Sequence, residues 1–253
     1  MVKDRIINSS ISFAKAEIRY NTYREQLVKT LLITLERRHH VLSTREGFKD
    51  VTFIANHYSP RPLWDYLHSH HAIYDRWVHD CLGINPVDVT LLYTGADIDN
   101  LAVRSETNND LTVCCLVTAG ARGNVQRAGV DIAGAPRVGY QEDIDPGTVN
   151  IILLCSRALS DGAMARAIIS TTEAKTAAFQ DLMIKSTYTP QNQATGTGTD
   201  NTIIIGGEGI ALDSSGGHTK LGELISKVTR KAVIEALVKQ DNMDLSAYST
   251  LKE

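Results

Sequence analysis

Long hydrophobic runs, cysteine pairs and an excess of one charge are all missing from this sequence of 253 residues. Nowhere do 18 apolar residues follow one another, which argues against a membrane-spanning helix. Lysine and arginine number 26 against 29 aspartates and glutamates, and the net charge of −3 provides no global positive field for nucleic acid or an anionic membrane. The expected partner is therefore a small molecule.

The four cysteines form no C-x-x-C motif, and the adjacent Cys114 and Cys115 would point to opposite faces of a strand. A disulfide framework is therefore not expected. The first 20 residues alternate polar and apolar side chains and lack the apolar core of a secretion signal. These features predict a cytoplasmic protein with reduced thiols.

The order of the segments predicts an α/β fold, a mixed sheet flanked by helices, in a single compact domain over residues 1–253. Apolar and β-branched runs predict strands at 27–35, 39–44, 51–58, 88–93, 111–118, 148–155 and 202–206. Helical spacing of apolar residues predicts one or two helices over 62–82 and single helices over 161–184 and 219–239.

Several connections have a distinctive composition. Residues 120–147 are rich in glycine, proline, aspartate and arginine, which predicts a long functional loop. Ser160 is the expected N-cap of the helix that follows it. The runs GGEG, after the strand at 202–206, and SSGG, before the final helix, predict turns, and the tail after Asp241 is expected to fray.

The strongest local feature is a strict alternation of threonine with glycine, Ala194-Thr195-Gly196-Thr197-Gly198-Thr199-Asp200. Glycine allows successive backbone N–H groups to point inward as an anion-binding nest, and the three threonines and Asp200 add hydroxyls and a carboxylate. The segment lacks the Lys-[Ser/Thr] of a P-loop and the third glycine of a dinucleotide fingerprint. It predicts a polar substrate cradle, with a flexible linker as the alternative.

Glu173 and Lys175 lie two residues apart on the helix predicted over 161–184. They project about 200° apart on an ideal helix, so one of them is expected to point inward. A carboxylate beside an apolar face is suited to general acid or base catalysis, which makes Glu173 a candidate catalytic residue and Lys175 a candidate binding residue. The alternative is that both lie on a solvated rim.

Among the histidines, His218 is the strongest catalytic candidate, since it stands where the final helix begins. A helix N-terminus favours a neutral imidazole, which is able to accept a proton, although a helix cap or loop filler is an equal alternative. His68 and His71 have the i, i+3 spacing of helical metal ligands, but no carboxylate or cysteine stands at matching spacing, and no metal site is predicted.

Polar residues at strand ends are candidates for substrate binding. Asn150 interrupts an apolar strand, so its amide either anchors the neighbouring loop or donates to a substrate carbonyl. Thr118 and Asn124 mark a strand-to-loop exit, the position at which α/β sheets usually bind ligands. Asn56, next to His57 at the end of another predicted strand, is placed for a pocket rim.

Several motifs together resemble the adenosylcobinamide amidohydrolases of corrinoid salvage, over roughly residues 88–238. They are Thr118-Ala119-Gly120 with Asn124 and Gly129, PGTVNIILL at 146–154, Ala163-Met164-Ala165, Thr172-Glu173-Ala174-Lys175, ATGTGTD at 194–200, and GHTKLGEL at 217–224. Residues 1–87 diverge more, because a glycine pair typical of the family is missing after Ser43, and the helix predicted at 62–82 is rich in histidine.

The resemblance implies hydrolysis of the amide that joins the aminopropanol arm to the corrin ring, with release of adenosylcobyric acid. It implies a small corrinoid substrate that itself carries cobalt, and no further cofactor is established. A related tetrapyrrole amide and a corrinoid-binding protein without catalysis are the alternatives. Whether the protein forms a homo-oligomer stays open.

Amide hydrolysis needs an activated nucleophile, a donor for the oxyanion and a proton for the leaving amine. The hypothesis from sequence is that Glu173 or His218 activates water and Asp200 orients. The backbone N–H groups of 195–199, with Asn150, would bind the oxyanion. A rival is a threonine nucleophile exposed by self-cleavage at Gly196-Thr197 or Gly198-Thr199.

Overall fold

A computed structural model describes residues 3–136 and 147–244. The described residues form the strands Arg5–Ile7 (β1), Ala14–Tyr23 (β2), Gln26–Ser43 (β3), Gly47–Tyr58 (β4), Val89–Thr94 (β5), Ala102–Asn108 (β6), Leu111–Ala119 (β7), Val125–Gln126 (β8), Val149–Leu159 (β9), Gly196–Thr197 (β10) and Asn201–Leu212 (β11). The α-helices among them are Trp64–Leu82 (α1), Asp161–Asp181 (α2) and Lys220–Asp241 (α3).

Nine of these strands form one mixed sheet that curls into a half-barrel, in the order β1-β2-β3-β11-β9-β7-β6, with β4 pairing with β3 and β5. The pairs β4–β5 and β9–β11 are parallel, and the other pairs are antiparallel. Strands β8 and β10 form a separate two-stranded ribbon. The predicted fold class, a mixed sheet flanked by helices, is confirmed.

Strand alternation divides the core between the two faces of the sheet. On β9, Ile151 and Leu153 pack in the cluster under α2 and α3, whereas Ile152 and Leu154 pack in the cluster on the opposite face. Such alternation is what a strand covered on both faces requires, and it explains the continuous apolar run in the sequence. Cys114 and Cys115 divide between the same two clusters, as predicted.

Strand β3 runs unbroken through the positions where two strands, 27–35 and 39–44, are predicted, so that division is wrong. Its pairing with β4 shifts register between Thr34 and His39, which marks a bulge. The charged residues 36–38, which suggest a break in the sequence, are exposed at this bulge. Strands β2 and β6 have no counterpart among the predicted elements.

The turn predicted at residues 206–209 from their glycines is wrong, because β11 continues to Leu212. A Cβ on Gly207 would lie 2.3 Å from the carbonyl oxygen of Ser156, and one on Gly206 would lie 2.8 Å from the backbone nitrogen of Leu159. These glycines therefore allow β9 and β11 to approach closely, a role that sequence does not distinguish from a turn.

The helices agree with their predicted positions. Ser160 caps α2 by accepting a hydrogen bond from the Ala163 N–H at 3.2 Å, as predicted. Helix α1 follows a short 3-10 turn and has a non-helical residue at His70, consistent with the prediction of one or two helices. In the described residues, no helix is both long and apolar enough to cross a membrane. The loop predicted over 120–147 contains β8 and lies partly outside the described residues, as does most of the tail after Asp241.

Candidate active site

A cleft of about 390 Å³ opens at the end of the sheet where β5 ends and β9 and β11 begin. One wall consists of α1 and the ends of β4 and β5, and the other consists of the loops before β8, β9 and β11. The lining residues are Ser59, Trp64, Leu67, His68, His71, Tyr74, Tyr93, Thr94, Gly95, Asn124, Gly147, Thr148 and Thr199. Asn124 and Thr199 are the candidate residues from sequence that line it directly.

A larger concavity, of about 750 Å³, lies on β1, β2 and the turn between them. Its walls include Ile7, Ile11 and Ala16, and none of the candidate residues lines it. Size alone would favour this concavity, but polar groups that converge are the better mark of a catalytic site. The smaller cleft therefore has the stronger claim.

A buried network of side-chain amides lies beneath the cleft. The Asn150 amide nitrogen donates to Asn56 Oδ1 at 2.8 Å and to the Tyr93 carbonyl at 3.0 Å. Asn56 in turn donates to Thr118 Oγ1 at 2.9 Å. The antiparallel register pairs Thr118 with Asn150, which is why residues 32 positions apart meet. Both asparagines are fully buried, so the network fixes the strand ends.

Asp200 is the centre of the polar cluster beside the cleft. Its Oδ1 accepts from the Val149 N–H at 2.9 Å and from the Thr197 hydroxyl at 2.5 Å. Its Oδ2 accepts from the Thr197 N–H at 3.0 Å and from the Lys175 ammonium. Four donors therefore connect this carboxylate to β9, α2 and its own loop.

Gly196 makes the contact between Lys175 and Asp200 possible. A Cβ at this position would lie 2.4 Å from Lys175 Nζ and 2.5 Å from Asp200 Oδ2. Any other residue would therefore occupy the space that the ammonium needs. Gly198 is different, since a Cβ there would be in ordinary contact with Gln126 at 3.7 Å.

The three threonines of the segment have different environments. The Thr195 hydroxyl accepts from the Ala128 N–H at 3.0 Å and lies on the ribbon side. Thr197 is buried against Asp200, and Thr199 lies 3.5 Å from it, hydroxyl to hydroxyl, with its side chain in the cleft. The amide nitrogen of Asn124 donates to Thr199 Oγ1 at 3.4 Å. The segment is thus an ordered part of the site and not a free linker.

The backbone donors that the hypothesis from sequence gives to an oxyanion are largely occupied. The Thr195 N–H donates to the Gln126 carbonyl at 2.9 Å, and the Thr197 N–H donates to Asp200. The Thr199 N–H donates to Thr197 Oγ1 at 3.3 Å. Both donors of Asn150 are also used. In this structure the segment therefore does not form the open nest that was predicted.

Of the pair on α2, Lys175 is the residue that points inward. Its side chain is 11% exposed and contacts Asp200, whereas Glu173 is exposed on the helix surface. The prediction that one of the two is buried is confirmed. The charge that enters the site is, however, the cation and not the expected carboxylate, and the catalytic role of Glu173 stays a prediction.

His218 lies at the other end of α2 from the cluster. The His218 ring and the Arg166 side chain are neighbours at Gly216. A Cβ built on Gly216 would lie 3.1 Å from the His218 ring and 3.2 Å from Arg166 Nε. Arg166 and Lys175 are nine residues apart on one helix, a separation of about 13 Å. The structure thus separates His218 from Asp200, which sequence could not reveal, and its catalytic role also stays a prediction.

Comparison with known proteins provides the family. The family model described as adenosylcobinamide amidohydrolase matches residues 14–244. The chain belongs to the adenosylcobinamide amidohydrolase family. The matched residues include α1, the helix that forms one wall of the cleft.

Two individual proteins are similar to this family member. An uncharacterized protein of Methanocaldococcus jannaschii is 47% identical over 229 residues, which cover 86% of this chain and 89% of the relative. The crystal structure of the PH0078 protein from Pyrococcus horikoshii has a TM-score of 0.48 at 12% identity, covering 91% of this chain and 86% of that one. A similarity of the latter degree has no bearing on function.

Several residues of the cleft have no counterpart among the candidates from sequence. Ser59, Tyr74, Tyr93 and Thr148 all line it. They come from four separate elements, and no motif or spacing marks them in the sequence. His57, next to the candidate Asn56, is fully buried and contacts Tyr74.

Gly196→Ala is expected to separate Lys175 from Asp200 and to destabilise the protein by about 1–3 kcal/mol, because the added methyl group occupies their contact. Gly198→Ala, two residues further on, is the matched control and is expected to change stability by less than about 1 kcal/mol. Urea denaturation of both variants measures the difference. Equal stability of the two would contradict the packing described here.

Proposed function

We propose that this protein hydrolyses the amide between the aminopropanol arm and the corrin ring of adenosylcobinamide, releasing adenosylcobyric acid. The observation that supports this proposal best is the Lys175–Asp200–Thr197 cluster, which reaches a cleft through Thr199. A buried carboxylate and a hydroxyl chain that leads to a cleft can activate a water nucleophile and return a proton to the leaving amine, two of the three things that amide hydrolysis needs.

The cleft is suited to an amide. Asn124 lines it, and its Oδ1 is buried with no hydrogen-bond partner among the described residues. Leaving this oxygen unpaired is costly, and a rotation of the Asn124 side chain that turned it towards the cleft would let it accept the N–H of a substrate amide. The Thr199 hydroxyl lies beside it and both donates and accepts, so the two side chains together match the polarity of the scissile group.

The cleft volume of about 390 Å³ is near the lower end for a drug-sized ligand. It therefore fits the aminopropanol arm and its amide, with the corrin ring held at the mouth. Two partly exposed aromatic rings, Trp64 and Tyr93, line the α1 wall. Such rings provide apolar contact area for a large planar ligand.

In the proposed reaction, water held at Thr199 attacks the amide carbon. Its proton passes through the Thr199 and Thr197 hydroxyls to Asp200, across separations of 3.5 and 2.5 Å. When the C–N bond breaks, this proton returns through the same hydroxyls to the amine, which leaves as aminopropanol. Lys175 balances the charge of Asp200 and holds it in position.

Incubation of the pure protein with adenosylcobinamide tests the proposal. We expect adenosylcobyric acid and aminopropanol in equal amounts, separated by chromatography and identified by mass. Binding of the corrinoid without any product would favour a carrier. Cleavage of only a related tetrapyrrole amide would correct the substrate. A parallel reaction with a chelator reveals whether a metal ion takes part.

The Asp200→Asn variant is expected to lower kcat by about 10²-fold or more, since it removes the proton acceptor. Glu173→Gln, on the exposed face of the same helix as Lys175, is expected to retain activity. Steady-state kinetics of the two variants separate this assignment from the one based on sequence. The reverse result, with Glu173→Gln inactive and Asp200→Asn active, would transfer the acid–base role to Glu173.

Intact-mass spectrometry distinguishes water from a self-cleaved threonine as nucleophile. We expect a single chain of 27.7 kDa, because the Thr197 N–H and hydroxyl both donate to Asp200. Two fragments that meet at Gly196-Thr197 or Gly198-Thr199 would instead assign the nucleophile to the new N-terminal threonine.

A further inference from the structure

The α1 side of the cleft contains a chain of hydrogen-bonding side chains that the proposed reaction does not use. His57 Nδ1 lies 2.7 Å from Thr30 Oγ1, and its Nε2 lies 2.7 Å from the Tyr74 hydroxyl. That hydroxyl lies 3.0 Å from Ser59 Oγ. Ser59 and Tyr74 line the cleft, so the chain begins in the core and ends at the substrate side.

Burial makes this chain costly unless every member is satisfied. Thr30 and His57 are 0% exposed, Tyr74 is 1% exposed and Ser59 is 6% exposed. The ring of Tyr74 is also packed against Tyr23, with centroids 4.8 Å apart. The three other members are nearly inaccessible, so Ser59 is the end of the chain that a ligand in the cleft would meet.

The tautomer of His57 sets the direction of the hydrogen bonds along the chain. Burial lowers its pKa to about 3, so the imidazole is neutral near pH 7 and has one donor and one acceptor nitrogen. With the hydrogen on Nδ1, His57 would donate to Thr30, and Ser59 would donate to Tyr74 instead of into the cleft. We assign the hydrogen to Nε2, so that His57 donates to Tyr74 and Tyr74 donates to Ser59. The Ser59 hydroxyl is then free to donate into the cleft.

The backbone around Ser59 fixes the position of this hydroxyl. The Ser59 N–H donates to the Thr94 carbonyl at 3.3 Å, and the indole N–H of Trp64 donates to the Ser59 carbonyl at 2.8 Å. A donor held in this way needs no reorganisation as charge develops on a substrate, which is the condition for effective oxyanion stabilisation.

The opposite wall cannot supply the same group easily, because the N–H groups of Thr195, Thr197 and Thr199 already have acceptors. Ser59 and Thr199 line opposite walls of one cleft. In the proposed reaction Thr199 holds the attacking water, and the substrate amide lies between the two walls. Attack from the Thr199 side pushes negative charge onto the carbonyl oxygen, where a donor from the other wall is needed.

We propose that Ser59 is a catalytic residue whose hydroxyl donates to the carbonyl oxygen of the scissile amide as it becomes an oxyanion. Tyr74 and His57 are positioning residues that orient this hydroxyl. No bond to Ser59 forms, and no proton leaves it. The inference rests on the proposed amidohydrolase function and adds to it the group that stabilises the intermediate.

The test compares Ser59→Ala, Ser59→Thr and Tyr74→Phe with the wild-type protein. For each variant we measure kcat and the midpoint of thermal unfolding. The Kd for adenosylcobinamide is measured by equilibrium titration at low temperature, where turnover is slow. We expect Ser59→Ala to lower kcat by about 10²-fold while Kd changes less than about twofold, since the donor acts mainly on the oxyanion.

The other two variants show whether the hydroxyl and its orientation matter. Ser59→Thr keeps a hydroxyl and is expected to recover most of the lost kcat. Tyr74→Phe fills the same space but interrupts the chain, and is expected to lower kcat by about tenfold with an unchanged Kd. A merely structural role would instead lower the thermal midpoint and weaken binding in step with kcat.

The outcomes distinguish this inference from the function on which it rests. If Ser59→Ala turns over adenosylcobinamide as fast as the wild-type protein, the role of Ser59 is overturned but the amidohydrolase proposal is not. A fall in kcat matched by equal losses of binding and thermal stability would also overturn it. Absence of turnover by the wild-type protein, with binding retained, would overturn the amidohydrolase proposal and this inference together.

Discussion

The geometry of the cleft depends on the hydrogen bonds that the Asp200 carboxylate accepts. This carboxylate joins the Thr/Gly segment to the first residue of β9 and to Lys175 on α2. A carboxylate with four donors has little freedom to rotate. The position of Thr199, one residue earlier, is fixed as a consequence, and with it one wall of the cleft.

The other wall depends on a different constraint, the alternation of side chains along β4. Asn56 points towards Thr118 and Asn150, on the sheet end below the cleft, whereas His57 points towards Tyr74 on α1. Two consecutive residues of one strand therefore anchor the amide network and the hydroxyl chain. This arrangement places two independent polar systems next to one cleft.

Much of the fold could be predicted from the sequence, because apolar periodicity reports on burial. The central strands and all three helices follow directly from it. Strands β2 and β6 are less apolar and carry no such signal, and the bulge at residues 36–38 places charges in a strand. Glycines 206 and 207 suggest a turn because their function, close approach of two strands, depends on a partner distant in the chain.

The site was predictable only in part, for the same reason. Local motifs identify Asp200, the threonines, Asn150 and Lys175, since each stands out against its neighbours. Sequence could not show that Lys175 and not Glu173 enters the cluster, because the helix phase relative to the sheet is a tertiary property. It also gave no means of placing His218 at the far end of α2, or of joining Ser59 to Tyr74 and His57.

A double-mutant cycle on Lys175 and Asp200 tests the central contact most directly. The free energy of unfolding is measured for the wild-type protein, Lys175→Met, Asp200→Asn and the double variant. Each single change leaves one buried partner uncompensated and is expected to cost about 3–5 kcal/mol. The double variant should be more stable than the sum predicts by about 1–3 kcal/mol. Strictly additive losses would contradict the account, because they would mean that the two side chains do not depend on each other.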